Sequence, residues 1–190
     1  MKRSEINRLT AAAQACFEKH GWTLPPHPRW DVTDFGLGDW IKSCLVLVNL
    51  SEHPEYCEKL MYARQGMLTP EHCHQKKKED IISRWGTLRV NVWPGHPGRP
   101  MPPEFEVLLN NEKTVVPAGG AIDLTAGERI TLVPHVYHSF FPLTEECIIG
   151  EVSTANDDAN DNFFVNPDIG RFPHVEEDEA ALVKLLSDAL

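Results

Sequence analysis

The sequence is poor in basic residues and has no long apolar run. Lys and Arg together number 18 against 28 Asp and Glu, which gives a formal net charge of −10. This acidic balance argues against general nucleic-acid binding and against binding to an anionic membrane surface. No apolar stretch approaches the roughly 20 residues of a transmembrane helix. We therefore expect neither a nucleic acid nor a membrane as a partner.

Cysteine is scarce and shows no paired motif. The five cysteines are odd in number, and none forms a CxxC pair. The segment MKRSEINRLT leads into an amphipathic helix rather than into the apolar run of a signal peptide. A reduced, cytoplasmic protein is the simplest interpretation.

The order of segments indicates one domain of 190 residues with three parts. Residues 1–30 form a predicted helical arm, with a helix over 4–20 that packs on a barrel. Residues 40–155 contain many short strands separated by turn signals, which favours an all-β barrel or jelly roll. Residues 156–190 are a polar loop and a predicted C-terminal helix. Its apolar side is formed by Ala181, Leu182, Leu185, Leu186 and Leu190.

The most informative stretch is GMLTPEHCHQKKKEDIISRWG, residues 66–86. His72 and His74 are two residues apart, so both imidazoles point to the same face of a strand. Glu79 follows a lysine-rich turn and joins them if 72–74 and 79–82 pair as neighbouring strands. Two imidazole nitrogens and one carboxylate oxygen suit a divalent first-row metal.

The spacing around these residues resembles the first signature of the cupin superfamily. That signature places two glycines around His-x-His and Glu, and here it falls on Gly66, His72, His74, Glu79 and Gly86. Each glycine can supply a turn with positive φ beside the ligand strands. The resemblance implies a cupin-type double-stranded β-helix.

A second cupin signature is similar to the segment GERITLVPHVYHSF. Its first glycine falls on Gly127 and its histidine on His138, which the resemblance makes a fourth metal ligand. Val133 and His135 depart from the expected proline and glycine, which leaves the shape of this turn in question.

Four segments in order resemble the D-lyxose isomerase family of cupins, namely HCHQKKKEDI, VPHVYHSF, GEVSTANDDANDN and RFPHVEEDE. The family implies isomerisation of D-lyxose to D-xylulose, often also of D-mannose to D-fructose, on a small-molecule sugar substrate. It implies a divalent metal, with manganese preferred over zinc, cobalt or iron. The metal ligands are then His72, His74, Glu79 and His138. A homodimer is expected, as for jelly-roll cupins in general.

The reaction needs a group that moves a proton between C2 and C1, beside a metal that stabilises an enediolate. We expect Lys77, with a pKa lowered by the metal and by partial burial, near the sugar oxygens as proton donor or electrostatic stabiliser. Glu151 is the first candidate for the base, because it is a charged residue inside the apolar run of a strand. A hydride shift is the alternative to proton transfer.

Four further residues are candidates for contact with the sugar. Asp161 and Arg171 are expected at its hydroxyls, and Phe140 shares a strand face with His138. Glu177 is a further substrate-binding candidate and an alternative base. The Pro- and Gly-rich segment 94–103 is either a lid over the site or an ordinary hairpin connection.

Two other functions use the same ligand set. An iron-dependent cupin dioxygenase also uses three histidines and a glutamate, although the polar tail and Lys77 argue against oxygen chemistry. A non-catalytic sugar-binding cupin is the third hypothesis, and such a protein need not keep all four ligands.

Overall fold

The structure, a computed structural model, describes residues 1–170 and 174–189. Within these residues one α-helix, α1 (Arg3–Lys19), precedes a series of antiparallel strands. The strands are β1 (Arg29–Thr33), β2 (Leu45–Glu52), β3 (Tyr56–Arg64), β4 (Thr69–Cys73), β5 (Glu79–Trp85), β6 (Leu88–Trp93), β7 (Glu104–Leu109), β8 (Glu112–Pro117), β9 (Gly120–Leu124), β10 (Arg129–Leu132), β11 (Tyr137–Pro142), β12 (Glu146–Thr154) and β13 (Phe163–Phe164). The all-β class with an N-terminal helix is confirmed.

The strands form two sheets that share one apolar core. The larger sheet has the order β1-β2-β3-β12-β5-β10-β7-β8, and the smaller has β13-β4-β11-β6-β9. Buried residues of both sheets, among them Leu47, Met61 and Ile81 of the larger and Val90 and Phe140 of the smaller, make one cluster. Two sheets that bury their inner faces against each other are the expected solution for strands with one apolar face.

The helix covers the outer face of the larger sheet. Ile6, Ala13 and Phe17 recur at helical spacing and are fully buried, so α1 presents one apolar stripe to the strands. Successive side chains of β2 point to opposite faces of the larger sheet. Leu47 belongs to the core between the sheets, while Val46 and Val48 pack with the buried residues of α1. The predicted packing of the helical arm over the barrel is confirmed. Within the described residues, no helix is long and apolar enough to span a membrane.

The expected pairing of the two ligand strands is wrong. β4 and β5 lie in different sheets, where β4 pairs with β11 and β13, and β5 pairs with β10 and β12. The lysine-rich turn therefore crosses from one sheet to the other. Glu79 faces the histidines across the space between the sheets rather than along one sheet.

The predicted C-terminal helix is also wrong for the described part of the segment. The only helical turn there is a 3-10 helix at Ser187–Ala189. Asn7 of α1 explains the difference, because its carboxamide donates to the carbonyl of Ala180 at 2.9 Å and accepts from the amide of Leu182 at 3.0 Å. These bonds and the burial of Leu185 beside Trp30 hold the chain in an irregular, extended course.

The two glycines that bracket the ligand stretch take the backbone conformation expected of them. Gly66 has φ +94° and Gly86 has φ +81°. A side chain at Gly86 would lie 2.6 Å from the carbonyl oxygen of Glu146, so this turn has neither the conformation nor the room for another residue.

Candidate active site

Three histidines meet between the two sheets. His72 lies on β4 and His138 on the adjacent β11, where the two are register partners with ring centroids 4.2 Å apart. His74 lies one residue beyond the end of β4. One ring nitrogen of each falls within 4.8 Å of those of the other two, and all three side chains are buried.

Backbone carbonyls fix the orientation of each imidazole. Nδ1 lies 2.8 Å from the carbonyl of Pro70 in His72, 2.7 Å from that of Asp161 in His74, and 3.2 Å from that of Val136 in His138. Since a carbonyl oxygen only accepts, each Nδ1 carries the proton and each Nε2 keeps a free lone pair. In metal-binding histidines, a hydrogen bond from the ring nitrogen that does not bind the metal sets the tautomer in the same way.

Glu79 opens β5 and completes the cluster from the opposite sheet. Its Oε1 lies 3.1 Å from Nε2 of His138 and 3.3 Å from Nε2 of His74. Oε1 of Glu79 and Nε2 of His138 are buried, and neither makes a hydrogen bond within the described residues. Leaving a buried polar atom unpaired costs about 1–3 kcal/mol. Three imidazole nitrogens and one carboxylate oxygen that converge in this way fit a divalent first-row metal.

The protonation states of this cluster suit a cation. Burial lowers the pKa of His72 well below 6.5, and the neighbouring His138 and His74 lower it further, so its imidazole is neutral. Burial alone would raise the pKa of Glu79, but the Lys77 ammonium and His74 hold it well below 4.5. A neutral imidazole and an ionised carboxylate are the forms that bind metals.

Lys77 and Glu151 lie directly beside the cluster. Nζ of Lys77 is 2.7 Å from Oε2 of Glu79 and 2.9 Å from Oε1 of Glu151, and both Lys77 and Glu151 are buried. The expected lowering of the Lys77 pKa is wrong for this arrangement of protein groups. Burial does act in that direction, but the carboxylates of Glu151 and Glu79 outweigh it and raise the pKa above 10.5. The side chain is therefore an ammonium ion that bridges two carboxylates.

Asp161 acts on the lysine-rich turn. Its carboxylate accepts hydrogen bonds from the backbone amides of Gln75 at 2.9 Å, Lys76 at 3.1 Å and Lys77 at 2.9 Å. Its carbonyl oxygen orients His74. Asp161 is 3 % exposed and is not among the residues that line the cavity. In the structure it holds the turn, and its contact with a sugar hydroxyl stays a prediction.

The other predicted substrate contacts have different outcomes. Phe140 lines the cavity, with its ring parallel to that of His138 at 6.5 Å. Glu177 does not reach the cavity, because its exposed carboxylate accepts a hydrogen bond from Nε of Arg3 at 2.8 Å on the helix side. Arg171 lies outside the described residues. No residue of segment 94–103 lines the cavity, as expected of the hairpin alternative.

Several cavity residues were not found from the sequence. They are Lys59, Asp158, Asn162 and Phe35, with Leu45, Leu47, Met61, Thr69 and Ile81 completing the wall. Phe164, which the sequence offers as one of several aromatic residues that could wall a sugar, lines the cavity as well. Lys59 carried one usable signal, since it is a charged residue inside the strand YCEKLMYAR, as Glu151 is in its own strand. The others depend on contacts between distant segments, such as the edge-to-face pair of Phe35 and Phe164 at 5.7 Å.

Comparison with known proteins gives the family. The D-lyxose isomerase family model matches residues 27–189. The chain is 31% identical to a D-lyxose/D-mannose isomerase of Escherichia coli O157:H7, over 99% of this chain and 98% of that one. It is 30% identical to a D-lyxose ketol-isomerase of Cohnella laeviribosi, over 94% and 100%. The chain belongs to the D-lyxose isomerase family.

Solved structures agree with the fold of a D-lyxose isomerase family member. L-ribose isomerase of Geodermatophilus obscurus matches with a TM-score of 0.67 at 16% identity, over 88% of this chain and 94% of that one. L-ribose isomerase of Cellulomonas parahominis matches with a TM-score of 0.66 at 17% identity, over the same shares. At these identities the likeness shows the cupin-type fold alone. Family membership makes the chain a sugar isomerase, and it supports neither the dioxygenase nor the non-catalytic hypothesis.

Proposed function

We propose that this protein interconverts D-lyxose and D-xylulose, and D-mannose and D-fructose, by proton transfer between C2 and C1. The relatives of known activity supply the substrates, since they are D-lyxose/D-mannose isomerases or D-lyxose ketol-isomerases over nearly their full length. The observation that carries the chemistry is the Lys77–Glu151 pair, 2.9 Å apart on the cavity wall and directly beside the histidine cluster. This pair supports a mechanism in which a carboxylate base and an ammonium acid act on one small substrate.

Glu151 is the proposed general base. Its carboxylate takes the proton from C2 of the aldose, the C2–H electron pair forms a C1=C2 double bond, and the carbonyl electrons move to O1. Lys77 gives a proton to O1 and regains one from the O2 hydroxyl, so that the C2=O bond forms. The carboxyl of Glu151 then returns its proton to C1, which completes the ketose and restores both side chains.

His72, His74, Glu79 and His138 would hold the divalent ion, which we infer to be manganese. When bound, this ion polarises the C1 and C2 oxygens and stabilises negative charge that develops on them. The chain itself keeps the ligands in their binding forms, with protons on the three Nδ1 atoms and an ionised Glu79. Asp161 keeps the turn that carries Lys77 in place.

The assay is NMR of D-lyxose with chelator-treated protein to which manganese has been restored, with D-mannose in parallel. In D₂O, deuterium at C1 of the ketose is expected from a base that exchanges its proton with solvent. Glu151→Gln should lower kcat by about 10²–10⁴-fold, the range for losing a general base. Glu145→Gln removes an exposed carboxylate just before β12 and serves as the control.

Each result separates one part of the proposal from another. Turnover of D-mannose without D-lyxose keeps the chemistry and changes the substrate. Turnover without deuterium at C1 favours a hydride shift or a shielded proton, and a Glu151→Gln variant at full rate then rules out the base. If a metal-loaded protein converts neither sugar, the proposed substrates are wrong.

Two further expectations accompany this function. All five cysteines are buried free thiols, which supports a reducing, cytoplasmic location. The homodimer stays a prediction, and light scattering of the purified protein measures it.

A further inference from the structure

Lys59 lies in one cross-strand row with the proposed base. On β3 it is the register partner of Glu151 on β12, and Glu151 in turn faces Ile81 on β5. Register partners put their side chains on the same face of a sheet, with Cβ atoms about 5 Å apart. All three residues line the cavity, and Lys59 is only 3 % exposed. A lysine is rarely buried to this degree unless it is paired.

The contacts of Lys59 join two parts of the molecule. Its Nζ lies 3.4 Å from Oε1 of Glu151 on the sheet, the same oxygen that Lys77 approaches at 2.9 Å. Nζ also lies 3.0 Å from Oδ1 of Asn156 and 3.4 Å from Oδ1 of Asp158, which belong to the loop after β12. The one ammonium group therefore touches both the base and the loop.

The loop that Lys59 holds, residues 155–162, is part of the cavity wall. Asp158 and Asn162 line the cavity, and the carboxamide of Asn162 donates to the carbonyl of Asp158 at 2.7 Å. Asn156 donates to the second oxygen of the Asp158 carboxylate at 2.8 Å. At its far end Asp161 bonds the turn that carries Lys77. The loop thus reaches Glu151 through one lysine and Lys77 through one aspartate.

We propose that Lys59 is a positioning residue that sets the Glu151 carboxylate only while the 155–162 loop is closed over the cavity. The ammonium groups of Lys59 on the neighbouring strand β3 and of Lys77 in the turn before β5 both approach Oε1 of Glu151, which leaves Oε2 for the C2 proton. Asp158 shares Lys59 with Glu151, so the loop contributes to the geometry of the base without touching the reacting atoms. This inference rests on the proposed role of Glu151.

The positioning role makes a specific demand on mutant kinetics. If Asp158 acts on catalysis through Lys59, its effect must vanish once Lys59 is gone, because interacting residues are not additive. A residue that merely fills the wall would give the same effect in both backgrounds. A double-mutant cycle on kcat therefore separates the two cases.

The experiment uses Lys59→Met, Asp158→Asn and the double variant, each restored with manganese and assayed on D-lyxose. Metal content is measured in every sample, since Lys59 touches none of the proposed ligands. Hydrogen–deuterium exchange of the peptides that cover 154–163 reports the loop without any substrate. Asn49→Leu is the control, because Asn49 is buried opposite Lys59 on β2 and has no hydrogen bond to its side chain within the described residues.

We expect Lys59→Met to lower kcat about 100-fold, with unchanged metal content and at least tenfold faster exchange in the loop. Asp158→Asn should lower kcat by about 5–10-fold when it is introduced into the unmodified protein. When it is introduced into the Lys59→Met variant, it should lower kcat by less than twofold. Asn49→Leu should change neither kcat nor loop exchange. This variant and the metal content separate positioning from general damage to the fold.

The proposal is overturned if Lys59→Met keeps kcat within threefold of the unmodified protein. It is also overturned if Asp158→Asn has its full effect beside Lys59→Met, or if loop exchange does not change. Should Lys59→Met fail to fold, Asp158→Asn with Asn156→Leu tests the loop side, and an unchanged kcat in both contradicts the inference. An unmodified protein that isomerises no aldose removes the proposed function instead, and the exchange measurement still decides whether Lys59 holds the loop.

Discussion

Lys77→Met tests the charge arrangement of the site most directly. The ammonium group lies 2.7 Å from Glu79 and 2.9 Å from Glu151, and the side chain is 4 % exposed. Methionine matches the length of the lysine stem but carries no charge. The variant therefore leaves two buried carboxylates without their shared cation, while the packing is nearly kept.

The expected loss of stability follows from this geometry. Removing one partner of a buried ion pair costs about 3–5 kcal/mol, because the remaining charge is left without compensation. At about 2–4 °C per kcal/mol for a chain of this size, the melting temperature should fall by roughly 10 °C. Urea unfolding followed by circular dichroism measures the free energy of unfolding, and a thermal melt measures the melting temperature. Both are recorded in chelator so that no metal compensates the charge of Glu79.

Two neighbours and one double variant make this test specific. Lys76 and Lys78 flank Lys77 in the same turn and are exposed, so their methionine variants should stay within about 0.5 kcal/mol of the unmodified protein. In Lys77→Met the Glu151 carboxylate keeps only Lys59, at 3.4 Å, so adding Glu151→Gln removes a poorly compensated charge and should restore part of the loss. A Lys77→Met variant that loses less than about 1 kcal/mol, or a double variant whose losses simply add, would refute the reasoning.

Three further predictions concern the turn, the acid limit and the metal. His135→Gly should raise the free energy of unfolding by about 0.5–1 kcal/mol in thermal melts, because His135 has φ +70°; Val133→Gly, without positive φ, should lower it. The free energy of unfolding of the metal-free protein should fall as pH falls from 7 to 5. The reason is that His72 binds a proton near pH 6.5 in the unfolded chain, whereas its pKa in the folded protein lies well below that value. In His72→Gln the free energy from urea unfolding should depend less on pH. Manganese should raise the free energy of unfolding by about 2.7 kcal/mol at 100 times its Kd and further with the logarithm of its concentration. Thermal melts should show this gain as a higher melting temperature, and Glu79→Gln should abolish most of it.

Local patterns in the sequence predicted the parts of the site that depend on local geometry. His72 and His74 point inward together because side chains alternate along an extended chain, and this holds whichever strand lies beside β4. The burial of Glu151 could be anticipated because a carboxylate inside an apolar strand needs a reason to be there. Helix α1 followed from its apolar spacing, and the turns at Gly66 and Gly86 from the φ values that glycine permits.

Long-range pairing decided the parts that local patterns missed. Nothing within residues 69–85 states that β4 and β5 belong to opposite sheets, since each strand has its partners elsewhere in the chain. Lys59 meets Asn156 and Asp158 almost a hundred residues away. The C-terminal apolar pattern favoured a helix, but this segment forms hydrogen bonds to Asn7 instead. Tertiary contacts override helix propensity when they supply partners for backbone amides and carbonyls.

The departure at His135 shows that the second turn depends on backbone geometry rather than on residue type. His135 has the positive φ that glycine would adopt without strain, and its amide donates to the carbonyl of His74 at 2.7 Å. That hydrogen bond connects the turn before β11 to His74, a proposed metal ligand. The turn therefore keeps its shape at a cost in strain, and His138 keeps its place beside His72.

The charges of the site form an alternating series that explains why its parts should act together. Glu79, Lys77, Glu151, Lys59 and Asp158 follow one another through ion-pair contacts of 2.7, 2.9, 3.4 and 3.4 Å. Each inner member is compensated by the members on both sides, so removing one leaves two neighbours in deficit. Coupling between substitutions should then be strong for adjacent members and weaker for Glu79 with Asp158, four steps apart. The series joins a proposed metal ligand, the proposed base and a loop of the cavity wall, so a disturbance at either end is expected to reach Glu151 through a single lysine.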